Sequence, residues 1–213
     1  LGVRATVVEA DRAGAGGSGF PAALVTPRLD AGDDGIAVLH VQALARAGGL
    51  YAAIPDAVIE RGVLQLEQAP RDAGRFAKVA AQPFWSEGAM QVRDAAECAA
   101  RLGEPVGCGG LWMRNAMAIR PRAVLDAWLE EAARVTARVA HIEPAGARWR
   151  LLDEAGGLIV EADVVVFAAG WGTAGLVPGL ALAPVRGQAN WVEGVAAGPV
   201  AWGGYAAPTG PGL

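Results

Sequence analysis

The run Ala162-Asp-Val-Val-Val-Phe-Ala-Ala-Gly170 constrains this chain more than any other segment. Its β-branched and aromatic residues, uncharged after Asp163 and closing on small side chains, read as a strand buried on both faces of a parallel sheet. Such a strand needs helices on each side, so the run points to an α/β architecture. The uncharged stretch continues to Val185, but Gly170, Gly172, Gly175, Gly179, Pro178 and Pro184 would break a spanning helix repeatedly. The expectation is therefore a buried strand followed by loop, with no membrane segment. The small residues at its end would let a cofactor pass close to the backbone.

The opening residues, Leu1-Gly-Val-Arg-Ala-Thr-Val-Val-Glu-Ala10, read as a helix terminus at Leu1, a stop at Gly2 and a short apolar strand ending in Glu9. In a dinucleotide-binding βαβ unit the second strand ends in an acid that accepts hydrogen bonds from the ribose hydroxyls. Glu9 occupies that place, although an ordinary strand-end acid reads the same way. The first strand and its glycine fingerprint do not precede it, and Tyr205-Ala-Ala-Pro-Thr-Gly-Pro-Gly-Leu213 has strand and turn character without a closing helix. The expectation is an interior fragment lacking the first βα unit and the C-terminal segment. No signal peptide is expected either.

After Glu9, the loop Ala13-Gly-Ala-Gly-Gly-Ser-Gly19 carries so little side chain that a ligand can lie against its backbone. Asp33 and Asp34 can cap a helix over about 36–54, stopped by Pro55. Val63–Glu67 reads as a strand, Pro70–Ala81 and Asp94–Leu102 as helices, and Gly109–Ile119 as a strand. Pro121 opens a helix through about Arg134. Arg138–Glu143 and Trp149–Asp153 read as paired strands, extended by Leu158–Glu161 around the Ala155-Gly-Gly157 turn.

Charge and composition exclude several chemistries. The net charge is −4, and 151–213 holds five acids against the single base Arg186, which disfavours a generally basic nucleic-acid binder. Lys78 is the only lysine, leaving Schiff-base chemistry little to work with. His40 and His141 lack ligand-spaced partners, so no metal site is expected. Ser18 and Ser86, the only serines, sit in no nucleophile elbow. Cys98 and Cys108 fit neither a zinc site nor a disulfide framework, which suits a reducing, cytoplasmic compartment. Seven tryptophans are scattered along the chain, and most are expected in the core or at domain contacts.

In order, the strand Val7-Val-Glu-Ala-Asp11, the Gly-rich loop, Ile119-Arg-Pro-Arg-Ala-Val-Leu125, the strand at Val139 and the run to Gly170 resemble the D-amino-acid oxidase type of FAD-dependent oxidoreductase. Gly16-Gly-Ser-Gly-Phe-Pro-Ala-Ala-Leu-Val-Thr-Pro-Arg-Leu29, Arg61-Gly-Val-Leu-Gln-Leu-Glu67 and Pro184-Val-Arg-Gly-Gln188 are most similar to the flavin domains of the bifunctional enzymes that make methylaminomethyl-2-thiouridine in tRNA. The likeness spans nearly the whole chain. It implies a Rossmann-like FAD-binding domain, 1–58 and 120–180, interleaved with an antiparallel-sheet substrate-binding domain, 59–119 and 181–213.

The resemblance further implies Glu9, with Ala10, at the adenosine ribose, and Ser18 and Gly19 beside the flavin or pyrophosphate. Val139 would meet the adenine, Ala169 and Gly170 would pass the pyrophosphate, and Trp171 would lie near the cofactor. Arg186, Gln188 and Tyr205 would serve the substrate. The implied cofactor is FAD, and the implied substrate is carboxymethylaminomethyl-uridine in tRNA, with a fused or separate methyltransferase domain as partner. A free amino acid such as glycine or sarcosine is the rival substrate, and a non-catalytic nucleotide-binding fragment is the rival from another class. Two departures stand out. The stretch 130–139 is short where the family carries another strand, and Phe20 stands where such enzymes often have asparagine. RNA contact, if made, falls to local clusters: Arg114, Arg120 and Arg122, or Arg71, Arg75 and Lys78.

Overall fold

The computed structural model describes residues 4–194 and 198–209. The readings at Leu1, Gly2 and 210–213 lie outside the described residues. The chain forms two compact units, each built from two stretches: Leu1–Gly17 with Trp128–Asn190, and Ser18–Ala127 with Trp191–Leu213. Interleaving is thus present, with residues 18–58 grouped with the sheet that follows them.

The second unit holds nearly all of the buried core. Its centre is the antiparallel pair β3 (Val58–Leu66) and β5 (Gly110–Ile119). The far edge of β5 takes β2 (Ala23–Val25) at one end and β4 (Met90–Arg93) at the other. On β3 lie β10 (Val200–Trp202), which runs parallel, and then β11 (Gly204–Ala206), giving a six-stranded mixed sheet. Alternate residues of the central strands bury on opposite faces: Val63, Leu111 and Met113 pack with Phe76 and Val79 of α2 (Arg71–Ala80), while Leu64 packs with Cys98 of α3 (Ala95–Leu102). Further along, Met117 and Ile119 pack with Leu44 of α1 (Asp34–Ala52).

Local signals set these helices. Asp33 Oδ1 accepts from Ile36 N at 3.0 Å at the start of α1. Asp94 and Glu97 form a reciprocal capping box at the start of α3, with bonds of 2.8 and 3.0 Å. At α2 the buried Asp72 does different work: its Oδ2 accepts from Gln68 N (2.8 Å) and Ala69 N (3.0 Å), tying the incoming loop to the helix. The Gln68 bond, then the Ala69 bond and the Arg75 charge, hold its carboxyl below the usual carboxylate range against the opposing effect of burial.

The first unit is thinner. β1 (Thr6–Glu9) pairs in parallel with β6 (Ala133–Thr136), and β7 (His141–Ala145), β8 (Arg148–Leu152) and β9 (Leu158–Ala162) form an antiparallel meander. Asp153 Oδ1 accepts from Ala155 N and Gly157 N to close the expected β8–β9 turn. On one face of the meander Glu143, Arg150 and Glu161 stand in cross-strand register. Arg150 bonds Glu143 at 3.0 Å, and Arg148 pairs with Glu161 at 3.4 Å and Asp163 at 3.1 Å.

Three expectations are corrected here. The helix opened by Pro121, α4, ends at Trp128 rather than near Arg134, because 133–136 are drawn into the parallel pair with β1. That pair supplies the short strand for which 130–139 seemed to have no room. The strand expected from Arg138 begins at His141, leaving Val139 on a half-buried connection. Most notably, 164–169 form no strand, and Val164 and Val166 are 75% and 83% exposed. Ladder bonds must come from a neighbour in space, and no described strand lies beside this run.

Gly62 lies on β3 at φ +89°, at the second of two register shifts, with the Trp112 ring packed where a Cβ would project. The Arg101 guanidinium stacks over that ring, 3.7 Å from its centroid. Gly62→Ala combines a left-handed alanine with overlap on an indole, and is expected to cost about 2–5 kcal/mol in urea denaturation. Asp72→Ala removes the loop tie and is expected to cost about 2–3 kcal/mol at neutral pH. Since the folded pKa of Asp72 is depressed, its contribution is full above the unfolded value near ~3.9 and is lost as pH falls through the folded value. The gap between the wild type and Asp72→Ala should therefore begin to narrow as pH falls below about 4 and close only below the depressed folded pKa, as followed by pH-dependent denaturation.

Candidate cofactor and substrate site

In the first unit, the carboxyl ends of the parallel β1–β6 pair bring Glu9 and Thr136 into register. Ligands of open α/β sheets bind at such carboxyl ends. Glu9 Oε1 accepts from Ala10 N at 2.9 Å, while Oε2 accepts no bond among the described residues. Glu9 is half-buried and makes no ion pair there, and Ala10 is exposed. The Ala137 N–H donates to the Glu9 carbonyl at 3.0 Å, so the connection carrying Val139, which leaves β6, starts beside the end of β1. Asp11 and Arg12 pair with each other at 3.6 Å on the exposed turn that follows.

The loop beyond keeps its openness. A Cβ at Gly16 or Gly17 would meet nothing within 4 Å. Gly17–Gly19 make a single exposed 3-10 turn, and the unit boundary falls inside it, so Ser18 and Gly19 belong to the second unit.

At the other end of the first unit, Gly170 adopts φ +55° and opens a 3-10 turn, Gly170–Gly172, which leads into the short helix α5 (Thr173–Leu176). A Cβ at Gly170 would also meet open space. Gly170, Trp171 and the segment Leu182–Arg186 line one groove of about 430 Å³. Trp171 is 56% exposed along it. The structure thus brings Gly170 and Trp171, expected at the cofactor, together with Arg186, expected at the substrate. Ala169 adjoins the groove through its carbonyl, which accepts from Gly172 N at 3.0 Å. Gln188 is exposed and lies outside the groove lining. Tyr205 stands half-exposed on β11 of the second unit. Sequence reasoning missed Leu182 and Val185 as groove residues, although the apolar spacing before Arg186 carried the signal.

Of the seven tryptophans, most of them expected in the core or at domain contacts, Trp128, Trp149, Trp171, Trp191 and Trp202 are exposed in the described residues, which removes the core placement for these five. Scattered position in a sequence does not decide burial. His40 lines a small apolar cleft of about 180 Å³ with Thr26, Pro27 and Leu44. Among the described residues no three His, Cys, Asp or Glu side chains cluster in a metal-binding arrangement, and no helix is long and apolar enough to cross a membrane.

Residues 1–210 match the family of FAD dependent oxidoreductases, DAO. The chain belongs to this family. It is 49% identical over 198 residues to the tRNA 5-methylaminomethyl-2-thiouridine biosynthesis bifunctional protein MnmC of Caulobacter sp. (strain K31), covering 92% of this chain and 32% of that protein. With the protein of the same description from Caulobacter vibrioides it shares 46% identity over 212 residues, covering 100% of this chain and 35% of the relative. The chain thus spans about a third of the length of these relatives.

Among solved structures, glycine oxidase from Geobacillus kaustophilus superposes with a TM-score of 0.56 at 21% identity, covering 81% of this chain and 50% of that one. NikD, an amino acid oxidase essential for nikkomycin biosynthesis, does so with a TM-score of 0.57 at 20% identity, covering 82% and 47%. These likenesses establish the α/β fold of the FAD-dependent oxidoreductase family. The residues present fit its cofactor: Glu9 offers an uncommitted carboxylate oxygen at a strand end, and the glycines at 16, 17 and 170 leave space that a side chain would fill.

Proposed function

We propose that this chain is the flavin-bearing part of an enzyme that removes the carboxymethyl group from carboxymethylaminomethyl-uridine in tRNA. The observation that carries this reading is the 49% identity over 92% of the chain to a tRNA methylaminomethyl-2-thiouridine biosynthesis protein. The description of that relative as bifunctional supports a second, methyltransferase activity elsewhere in the same protein. A tRNA substrate would place the reaction in the cytoplasm. The cofactor-binding part is drawn from 1–58 and 120–180, the substrate-binding part from 59–119 and 181–213.

When bound, FAD supplies the two-electron oxidation of an amine C–H bond. The chain's own residues bind and orient. Glu9 Oε2 accepts from ribose hydroxyls, with Ala10 and Val139 lending backbone at the adenosine end. Gly170, with Ala169 beside it, lets the backbone approach the diphosphate because so little side chain intervenes. Trp171 presents a flat apolar face, with Leu182 and Val185 as apolar neighbours along the groove. Arg186, which makes no ion pair among the described residues, offers a guanidinium to the substrate carboxylate, with Gln188 as a further polar contact. On this reading the glycine unit of the substrate loses one C–H and one N–H. Hydrolysis of the resulting C=N bond releases glyoxylate and leaves a primary amine on the uridine.

Glu9→Ala in the full-length protein should weaken FAD binding roughly 10- to 100-fold, the equivalent of about 1.5–3 kcal/mol for a charge-assisted bond. Flavin fluorescence titration measures it, and an unchanged dissociation constant makes Glu9 a plain strand end. The substrate is decided by anaerobic flavin reduction with carboxymethylaminomethyl-bearing tRNA and, separately, with glycine and sarcosine. Reduction by the tRNA is expected. Fast reduction by the free amino acids, with none by tRNA, would replace this reading with an amino acid oxidase or dehydrogenase.

A further inference from the structure

We infer that the solvent face of α2 is the surface on which this protein seats the phosphate backbone of RNA, an inference that rests on the tRNA reading above. Helix α2 is sharply two-sided. Asp72, Phe76 and Val79 are buried against the sheet, and Arg71, Arg75 and Lys78 face solvent at i, i+4 and i+7. Between them the exposed positions are Ala73, Gly74 and Ala77, and a Cβ at Gly74 would meet nothing within 4 Å. The cations therefore rise from a flat floor that a phosphodiester chain can approach.

The balance of charge on this face is positive. From Ala69 to Ser86 the only acid is Asp72, which is buried and already accepts two backbone N–H bonds. Arg75 is its ion-pair partner at 3.2 Å. Arg71 and Lys78 carry no hydrogen bond or ion pair among the described residues. The other arginine group is spent within the fold: Arg114 donates to the Glu87 carbonyl, Arg120 to the Asp56 carbonyl, and Arg122 pairs with Asp126 at 2.8 Å.

Arg71 is also misplaced for helix stability. A base at the first helical position opposes the helix dipole, where an acid would help. Within the chain the Arg71 charge helps hold the Asp72 carboxyl ionised, and a polyanion fits three like charges on one small-residue face whose only acid between Ala69 and Ser86 is buried.

The test uses the full-length, FAD-loaded protein and carboxymethylaminomethyl-bearing tRNA across a salt series. Arg75 is spared because it contacts Asp72. Each phosphate contact contributes a slope of about 0.9 to the logarithmic salt dependence, which is about fivefold in affinity near ~0.15 M salt. Arg71→Gln/Lys78→Gln should therefore weaken tRNA binding about 25-fold and reduce the slope by about 2, raising KM with an unchanged reduction rate at saturation. Flavin absorbance and Tm should be preserved, and the charge-conserving swap Arg71→Lys/Lys78→Arg should bind as the wild type does. Equal affinity and slope in wild type and double glutamine variant overturn the inference and leave the tRNA reading standing. So does a loss that the charge-conserving swap fails to restore, or one matched by Arg46→Gln on α1. A wild type that binds no tRNA overturns both.

Discussion

The antiparallel pairing of β3 with β5 is the interaction from which the rest of the second unit is built, since every buried cluster draws residues from one or both strands. Val63, Leu111, Met113 and Ala116 line the cluster under α2, Met117 and Ile119 the one under α1, and Leu64 the one shared with Cys98 and Val200. Two register shifts interrupt this pairing, and at the second the Trp112 ring fills the space that Gly62 leaves open. A glycine at positive φ thus leaves room for an indole on the neighbouring strand, over which Arg101 of α3 stacks. Packing on both faces follows from strand alternation. The helices are held where the alternation puts apolar side chains, and their own caps only settle where each begins.

The first unit has the opposite character. Leu151, Leu152 and Thr173 are its buried residues among those described, while Val164, Val166, Trp171 and Val185 lie open. Short strands and open glycines leave backbone available at the ends of β1 and at the Gly170 turn. These properties weaken a core and favour a ligand-binding surface, because a cofactor that approaches the backbone needs the space that packing would otherwise fill. A stable sheet in one unit and an open surface in the other is the division expected of a scaffold that positions a cofactor.

Charge placement separates the surface into parts that serve the fold and parts that do not. Arg148 and Arg150 are matched strand by strand with Glu143, Glu161 and Asp163, and Arg122 is matched by Asp126 one helical turn away. Such exposed pairs add little stability individually, but they neutralise the surface locally. On the outer face of α2 only Arg75 is matched, by the buried Asp72, while Arg71 and Lys78 make no ion pair among the described residues, which is why a chain with net charge −4 can still present a local cationic surface.

Short-range chemistry was legible from the residues alone. The capping acid at 33, the helical spacing at 71–80, the Ala155-Gly-Gly157 turn and the acid-ended strand at Glu9 each depend on neighbours a few positions away, and the structure carries each of them. The α/β class followed from the same patterns. What the residues could not determine was which segments meet. Ala133–Thr136 became a strand, and α4 stopped at Trp128, because β1 offered a parallel edge more than 120 residues earlier in the chain. The apolar run at 164–169 has the composition of a buried strand and stands exposed, because a strand is made by the ladder beside it. The groove joining Gly170, Trp171 and Arg186 likewise depends on the chain folding back between 171 and 182. Local sequence specifies dihedral preference and capping; pairing and enclosure are properties of contacts between distant segments, and only the tertiary structure decided those.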